Sequence, residues 1–269
     1  MNQRIVLSSV LAVVALAGLA VAQQAKAPAA EAPHWDYGQE HGPAAWSALN
    51  PDWATCSAGR NQSPIDLPSK APALSAEQKA KLGPAAVTVG HGAHIADVLN
   101  NGHTIQVNYA GADTLVFGGA SFALAQYHFH SPSEHTVDGK HFPMEMHLVH
   151  KSADGKLAVV GVLVEEGAAN TAFEPVWGKL PKDKGADRSL DAVSVDVDQL
   201  LPKHRTAYWY DGSLTTPPCS EGVKWFVMKT PIQLAAGQIQ AFRDIIQGNN
   251  RPTQALNGRT VATEAVAYK

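Results

Sequence analysis

The chain has 269 residues, with 21 basic and 24 acidic side chains, a net charge of −3, 12 histidines and two cysteines. A mildly acidic balance without a Lys/Arg cluster argues against nucleic acid and anionic membrane surfaces as partners.

Arg4 opens a targeting segment. Ile5 to Ala22 is apolar apart from Ser8, Ser9 and small residues, and Ala20-Val21-Ala22 is a cleavage pattern before Gln23. The competing reading is an uncleaved anchor, since such a run could nearly span a bilayer. The Ala/Gly-rich composition favours removal of residues 1–22, hence no stable membrane insertion afterwards and a periplasmic or secreted product. Cleavage takes away one basic and no acidic residue, leaving 20 against 24 and a net charge of −4. Residues 23–33 are Ala/Pro-rich and read as a flexible segment. Residues 34–269 show no linker and no repeat, so one domain is expected. In an exported chain, Cys56 and Cys219 suggest a disulfide; neither has metal-ligand spacing.

Ser75 and Gln78 form a capping box for a short helix that ends at Gly83. Strand-like runs follow at Ala86–Val89, Ile95–Leu99, Thr104–Tyr109, Thr114–Phe117, Ser121–His130, Glu145–His150, Leu157–Glu165 and Val223–Lys229. Asn100 to Gly102 and Asp154-Gly155 read as hairpin turns. Asn170–Leu180 and Gly237–Ile246 have helical character, the second from Ile239, Phe242, Ile245 and Ile246. The fold class is therefore mostly β, a single domain with a large, mainly antiparallel sheet and a few short surface helices.

Within the Ser121–His130 run lies Gln126-Tyr127-His128-Phe129-His130. Alternation on a strand puts both imidazoles on one face. His147 on a neighbouring strand would supply a third. Three neutral nitrogens and one open position is the layout of a catalytic rather than a structural zinc site. In a chain with 12 histidines a His-x-His pair is unremarkable by itself. Glu145 and Gln126 add weight, because each lies two residues before a histidine, on the same face, where it can hold that ring's second nitrogen.

These stretches resemble the α-class carbonic anhydrases in their bacterial secreted form. The resemblance runs from His34-Trp35-Asp36-Tyr37-Gly38 to Asn249-Asn250-Arg251-Pro252 and includes Arg60 to Asp66. Its signatures are QYHFHSPSEHTVDG (126–139), MEMHLVH (144–150) and YWYDGSLTTPPCSEGVKW (208–225). It implies a twisted sheet of about ten strands with Zn2+ at the floor of a conical cleft, and cis bonds at Ser63-Pro64 and Pro217-Pro218. It implies zinc ligands His128, His130 and His147, held by Gln126, Glu145 and a backbone carbonyl near Asn249, where side-chain identity is expected to carry no information. It implies catalytic roles for Thr215, which would accept a hydrogen bond from zinc-bound hydroxide, and for Glu134, which would in turn accept one from the Thr215 hydroxyl. His103 would be the proton shuttle, with His34, His91 and His94 next in line. Tyr37, Asn101 and Gln106 would hold the connecting waters, and Val149, Val159, Leu214, Thr216, Val223 and Trp225 the substrate pocket.

The implied reaction is reversible hydration of CO2 to bicarbonate and a proton, so the partner is a small molecule; a homodimer is compatible with the sequence. A hydroxyl both donates and accepts, whereas a carboxylate only accepts. Glu134 would thus turn the Thr215 proton towards itself and aim the Thr215 oxygen at the hydroxide. Bound water of pKa about 7, carbonic anhydrase's own value, recaptures protons no faster than roughly 10¹⁰ M⁻¹s⁻¹ and so releases them unaided at about 10³ s⁻¹ at most. A group near pKa 6.5 relieves that limit, which describes histidine. One departure is Ser131-Pro132, where many family members have Trp after the second ligand; a more open rim is expected. The competing classes are a binding module of the same fold and a zinc-capture protein. Zinc binding alone needs neither Thr215, Glu134 nor His103.

Overall fold

Valine-, leucine- and phenylalanine-rich runs dominate the computed structural model, which describes residues 33–83, 86–88, 95–109, 112–185, 187–189 and 195–268. The targeting segment, residues 23–32, Val89, His91 and His94 lie outside the described residues. No described helix is long and apolar enough to cross a membrane.

Among the described residues, twelve strands form one sheet. Its main path runs Asp187–Ser189, Ile95–Asn100, Ile105–Tyr109, Ala120–His130, Met144–Ser152, Leu157–Glu166, Glu221–Leu234, Thr206–Ser213 and Ala262–Ala265. Thr114–Phe117, Ala86–Thr88 and Ala267–Tyr268 branch from it. Pairing is antiparallel except where Leu157–Glu166 meets Glu221–Leu234 and Ala267–Tyr268 meets Ala86–Thr88. Both expected hairpin turns form, with Gly102 and Gly155 at φ 86°, a conformation that glycine enters without a Cβ clash.

A single irregularity decides what faces the cleft. Phe122, Leu124, Tyr127 and Phe129 all enter the same buried cluster, although their parity changes from even to odd. The register shifts between Leu124 and Gln126. One extra residue flips every later side chain to the opposite face. Gln126, His128 and His130 therefore leave the main core and line the other face of the sheet. That face is closed by a second cluster that includes Ile65, Leu163, Tyr208, Tyr210 and Trp225.

Two expectations need correction, and two strands went unpredicted. Asn170–Leu180 is not one helix but a 3-10 turn, Thr171–Phe173, followed by a single α turn, Glu174–Trp177. Pro175 has no amide to continue a helix from upstream. The Gly237–Ile246 helix runs from Ala236 to Arg243, so Ile245 and Ile246 pack beyond its end. Thr206–Ser213 and Ala262–Ala265 are strands that the pattern of side chains did not announce. The Ser75 capping box forms as expected, with Gln78 N donating to Ser75 Oγ at 3.2 Å and Ser75 N to Gln78 Oε1 at 2.8 Å.

Candidate metal centre

Register brings the three histidines together. His128 pairs directly with His147, and His147 with Gly161, across adjacent strands. His130 stands opposite Glu145. Each imidazole has one nitrogen occupied. His128 Nδ1 bonds Gln126 Oε1 at 2.8 Å, His130 Nδ1 the Asn249 carbonyl at 2.7 Å, and His147 Nε2 Glu145 Oε1 at 2.9 Å. The nitrogens left over are Nε2 of His128, Nε2 of His130 and Nδ1 of His147. The three residues' ligand atoms lie within 4.8 Å of one another. His130 Nε2 is buried without a hydrogen-bond partner, an arrangement that is costly unless something fills it. Burial lowers the proton affinity of all three rings, with the neighbouring imidazoles adding to it for His128 and His147, and brings His130 to about 4. Neutral rings with free lone pairs are what a zinc ion requires, so the donor set fits.

Glu145 is enclosed. Burial by itself would raise its pKa, but His135 and His147 overcome this and hold it well below the usual carboxylate range. Oε2 accepts the amides of Glu134 and His135 at 2.9 and 2.8 Å, and Oε1 also meets His135 Nδ1 at 2.7 Å. His135 Nε2 continues to Tyr210 OH at 2.7 Å, and that hydroxyl donates to Ser63 Oγ at 2.9 Å. A Cβ on Gly161 would stand 3.1 Å from Glu145 Oε1 and 3.2 Å from Val227. Glycine inside a valine-rich strand thus keeps room for the carboxylate.

Glu134 is fully buried, and burial raises its pKa to about 7. Its Oε1 accepts the Arg251 amide at 2.9 Å; Oε2 has no partner of good hydrogen-bond geometry and lies 3.7 Å from His130 Nε2 and 3.9 Å from His147 Nδ1. The Thr215 side chain approaches this carboxyl closely enough to favour its ionised form. Arg251, itself buried, donates to Gln62 Oε1, Ser63 O and Cys56 O at 2.9, 2.8 and 2.7 Å. Cys56 is disulfide-bonded to Cys219, four residues after Thr215. Ser63-Pro64 and Pro217-Pro218 are cis, as is Ser131-Pro132.

Above the histidines opens a cavity of about 140 Å³, lined among others by Tyr37, Asn101, His103, Gln106 and Thr216. His103 stacks on Trp35, with ring centroids 3.8 Å apart and planes 5° from parallel. Burial, Lys184 and His34 lower its pKa, against Asp36. His34 sits close by, 3.9 Å from Asp36, and is largely exposed. The apolar expectation also gathers in one place. Val149, Val159 and Trp225 form a row across three neighbouring strands, with Val223 and Leu214 in the same cluster.

A family profile of eukaryotic-type carbonic anhydrases matches residues 41–265. The chain is 44% identical over 238 residues to a carbonic anhydrase of Klebsiella pneumoniae, covering 86% of this chain and 91% of that one. It is 40% identical over 237 residues to one of Pectobacterium atrosepticum, covering 87% and 93%. Among solved structures, the α-carbonic anhydrase of Thermovibrio ammonificans in complex with sulfanilamide is 43% identical, with a TM-score of 0.79 over 86% of this chain and 99% of that chain. The chain belongs to the eukaryotic-type, or α, carbonic anhydrase family. It is a carbonic anhydrase, and the family's reaction is the hydration of CO2.

Four residues of this carbonic anhydrase escaped the sequence. His135, Tyr210 and Arg251 carry no local pattern, because their partners are remote in the chain. The fourth is Asn249, whose side chain adds to the expected backbone partnership with His130. Its carbonyl holds His130, but its side chain also accepts Ser131 N at 2.8 Å and donates to His103 O and Phe129 O, each at 2.9 Å. One amide thereby ties the strand of His128 and His130 to the hairpin that carries His103.

Proposed function

We propose that this carbonic anhydrase is zinc-dependent, is exported to the periplasm or beyond, and hydrates CO2 reversibly with His103 as its proton shuttle. The observation that carries the reading is the convergence of three neutral imidazoles whose outer nitrogens are each held by an acceptor. His128 and His130 would hold the ion through Nε2 and His147 through Nδ1. When bound, zinc would lower the pKa of its water to about 7, carbonic anhydrase's own value, and so supply a nucleophile at neutral pH.

The chain's own groups do the rest. Ionised Glu134 accepts a hydrogen bond from the Thr215 hydroxyl, so the Thr215 oxygen is left as an acceptor facing the reacting centre. A bound cation favours that ionised form against the burial that opposes it. Val149, Val159, Leu214, Val223 and Trp225 offer CO2 an apolar wall, next to Thr216. Tyr37 stays protonated, because burial and Glu134 raise its pKa well above the ordinary value; it can donate to cleft water beside Asn101 and Gln106. His103, at the mouth, takes the proton and hands it to buffer.

The same fold occurs in dioscorin, solved in complex with ascorbate, at 31% identity and a TM-score of 0.77. A binding module is therefore the reading to beat. Metal analysis with stopped-flow CO2 hydration decides between them. One zinc per chain, activity lost on chelation and regained with zinc, supports the enzyme; stoichiometric zinc without hydration contradicts it.

A further inference from the structure

On the cleft face, Gln106 and Asn101 stand on the two sides of one hairpin turn, and both line the cavity between His128 and His103. Side-chain amides ordinarily can flip, offering either a donor or an acceptor. Neither is free to do so here. Asn101 Oδ1 accepts the backbone amides of His103 and Thr104, both at 2.9 Å. Its Nδ2 is what remains for the cavity. Gln106 Nε2 donates to Asn108 Oδ1 at 2.7 Å, and Asn108 Nδ2 donates to Asp97 Oδ1. Asp97 pairs with Asn108 across the strands. A carboxylate can only accept, so it fixes Asn108, Asn108 fixes Gln106, and Gln106 Oε1 is left for the cavity. That oxygen makes no hydrogen bond among the described residues.

We propose that Asp97 and Asn108 are positioning residues that polarise the cleft wall, so that Asn101 presents a donor and Gln106 an acceptor to one water of the proton path. Such a water accepts from Asn101 and donates to Gln106. It is left with one lone pair and one hydrogen, one directed inward and one towards His103. This is the valence that a single-file proton relay needs, and it serves hydration and dehydration alike. The inference rests on the shuttle reading of His103.

Asp97→Asn keeps the shape but lets the chain of amides reverse. It is expected to lower kcat in dilute buffer roughly 3- to 10-fold, the size of one misdirected hydrogen bond, with kcat/KM for CO2 unchanged and the loss recovered in concentrated imidazole. The exchanged double variant, Asp97→Asn with Asn108→Asp, restores the polarity, because the new carboxylate accepts from both neighbours; its kcat is expected to return towards wild type. Wild-type kcat in Asp97→Asn, or no recovery in a folded exchanged variant, overturns the proposal. Neutron diffraction on the deuterated wild-type protein reads the orientation independently of activity. It is expected to show Gln106 Nε2 deuterons on Asn108, and a flipped amide overturns the proposal. His103→Ala in the same buffers separates the two readings: if it keeps wild-type kcat, the shuttle fails even where the amides are oriented as described.

Discussion

The floor of the cleft and its mouth are held by different means. At the floor, His128, His130, His147, Glu134 and Glu145 sit on or between central strands, and hydrogen bonds of 2.7–2.9 Å engage each of them. Most of these groups are almost wholly removed from water. At the mouth, His103 is half-buried, sits at a hairpin turn and leans on Trp35 through one stacked face. If the proposed zinc binds there, the floor's task is to prevent movement and protonation, since a ligand imidazole must stay neutral and aimed. The mouth, under the proposed function, would exchange protons with water, which needs access. The contrast implies that substitutions below should impair binding and chemistry, and substitutions above only turnover.

The largest effect is expected at Thr215. Thr215→Ala should retain zinc but lose about 2–4 kcal/mol of transition-state stabilisation, by analogy with a lost oriented donor. Steady-state kcat/KM for CO2 measures it, and a wild-type value would remove Thr215 from the reaction. Next comes Glu145→Gln, which keeps the shape of the side chain but not its charge. Zinc affinity should fall roughly 10- to 100-fold; equilibrium competition with a chelator reads this, and unchanged affinity would mean that Glu145 does not orient His147.

A smaller effect concerns protonation away from the cleft. Burial lowers the pKa of His150 to about 4 from 6.5. Its folded pKa lies below its unfolded one, so the unfolded chain takes up the proton first. Stability is complete above pH 6.5 and is lost as pH falls towards 4. At pH 5.5 the loss from this group is about 1.4 kcal/mol. In His150→Gln the difference in unfolding free energy between pH 8 and pH 5.5 should shrink by that amount, and an identical difference would show that His150 is not held neutral.

The floor was more legible than the mouth, for a physical reason. His-x-His and the partners two residues before His128 and His147 are short-range patterns on strands, where alternation alone predicts who shares a face. Even so, the bulge before Gln126 had no signature, and without it the same histidines would point into the core. Ala262–Ala265 contains no alternating apolar residues and is a strand only because Thr206–Ser213 offers it an edge. His135 reaches Glu145 only because a loop folds back over the strand. The roles of Asn249 and Arg251 depend on contacts more than a hundred residues distant in the chain, and no local pattern encodes those. Trp35 was visible as part of a motif, but its stacking on His103 depends on how the start of the domain folds across the hairpin.

The division between floor and mouth is tested most directly by stopped-flow CO2 hydration of zinc-loaded His103→Ala across a series of imidazole concentrations. The account predicts a kcat well below wild type in dilute buffer, a kcat/KM that stays near wild type, and progressive recovery of kcat as imidazole is added. A kcat that is unaffected in dilute buffer, or a kcat/KM that falls in step with it, would contradict the account.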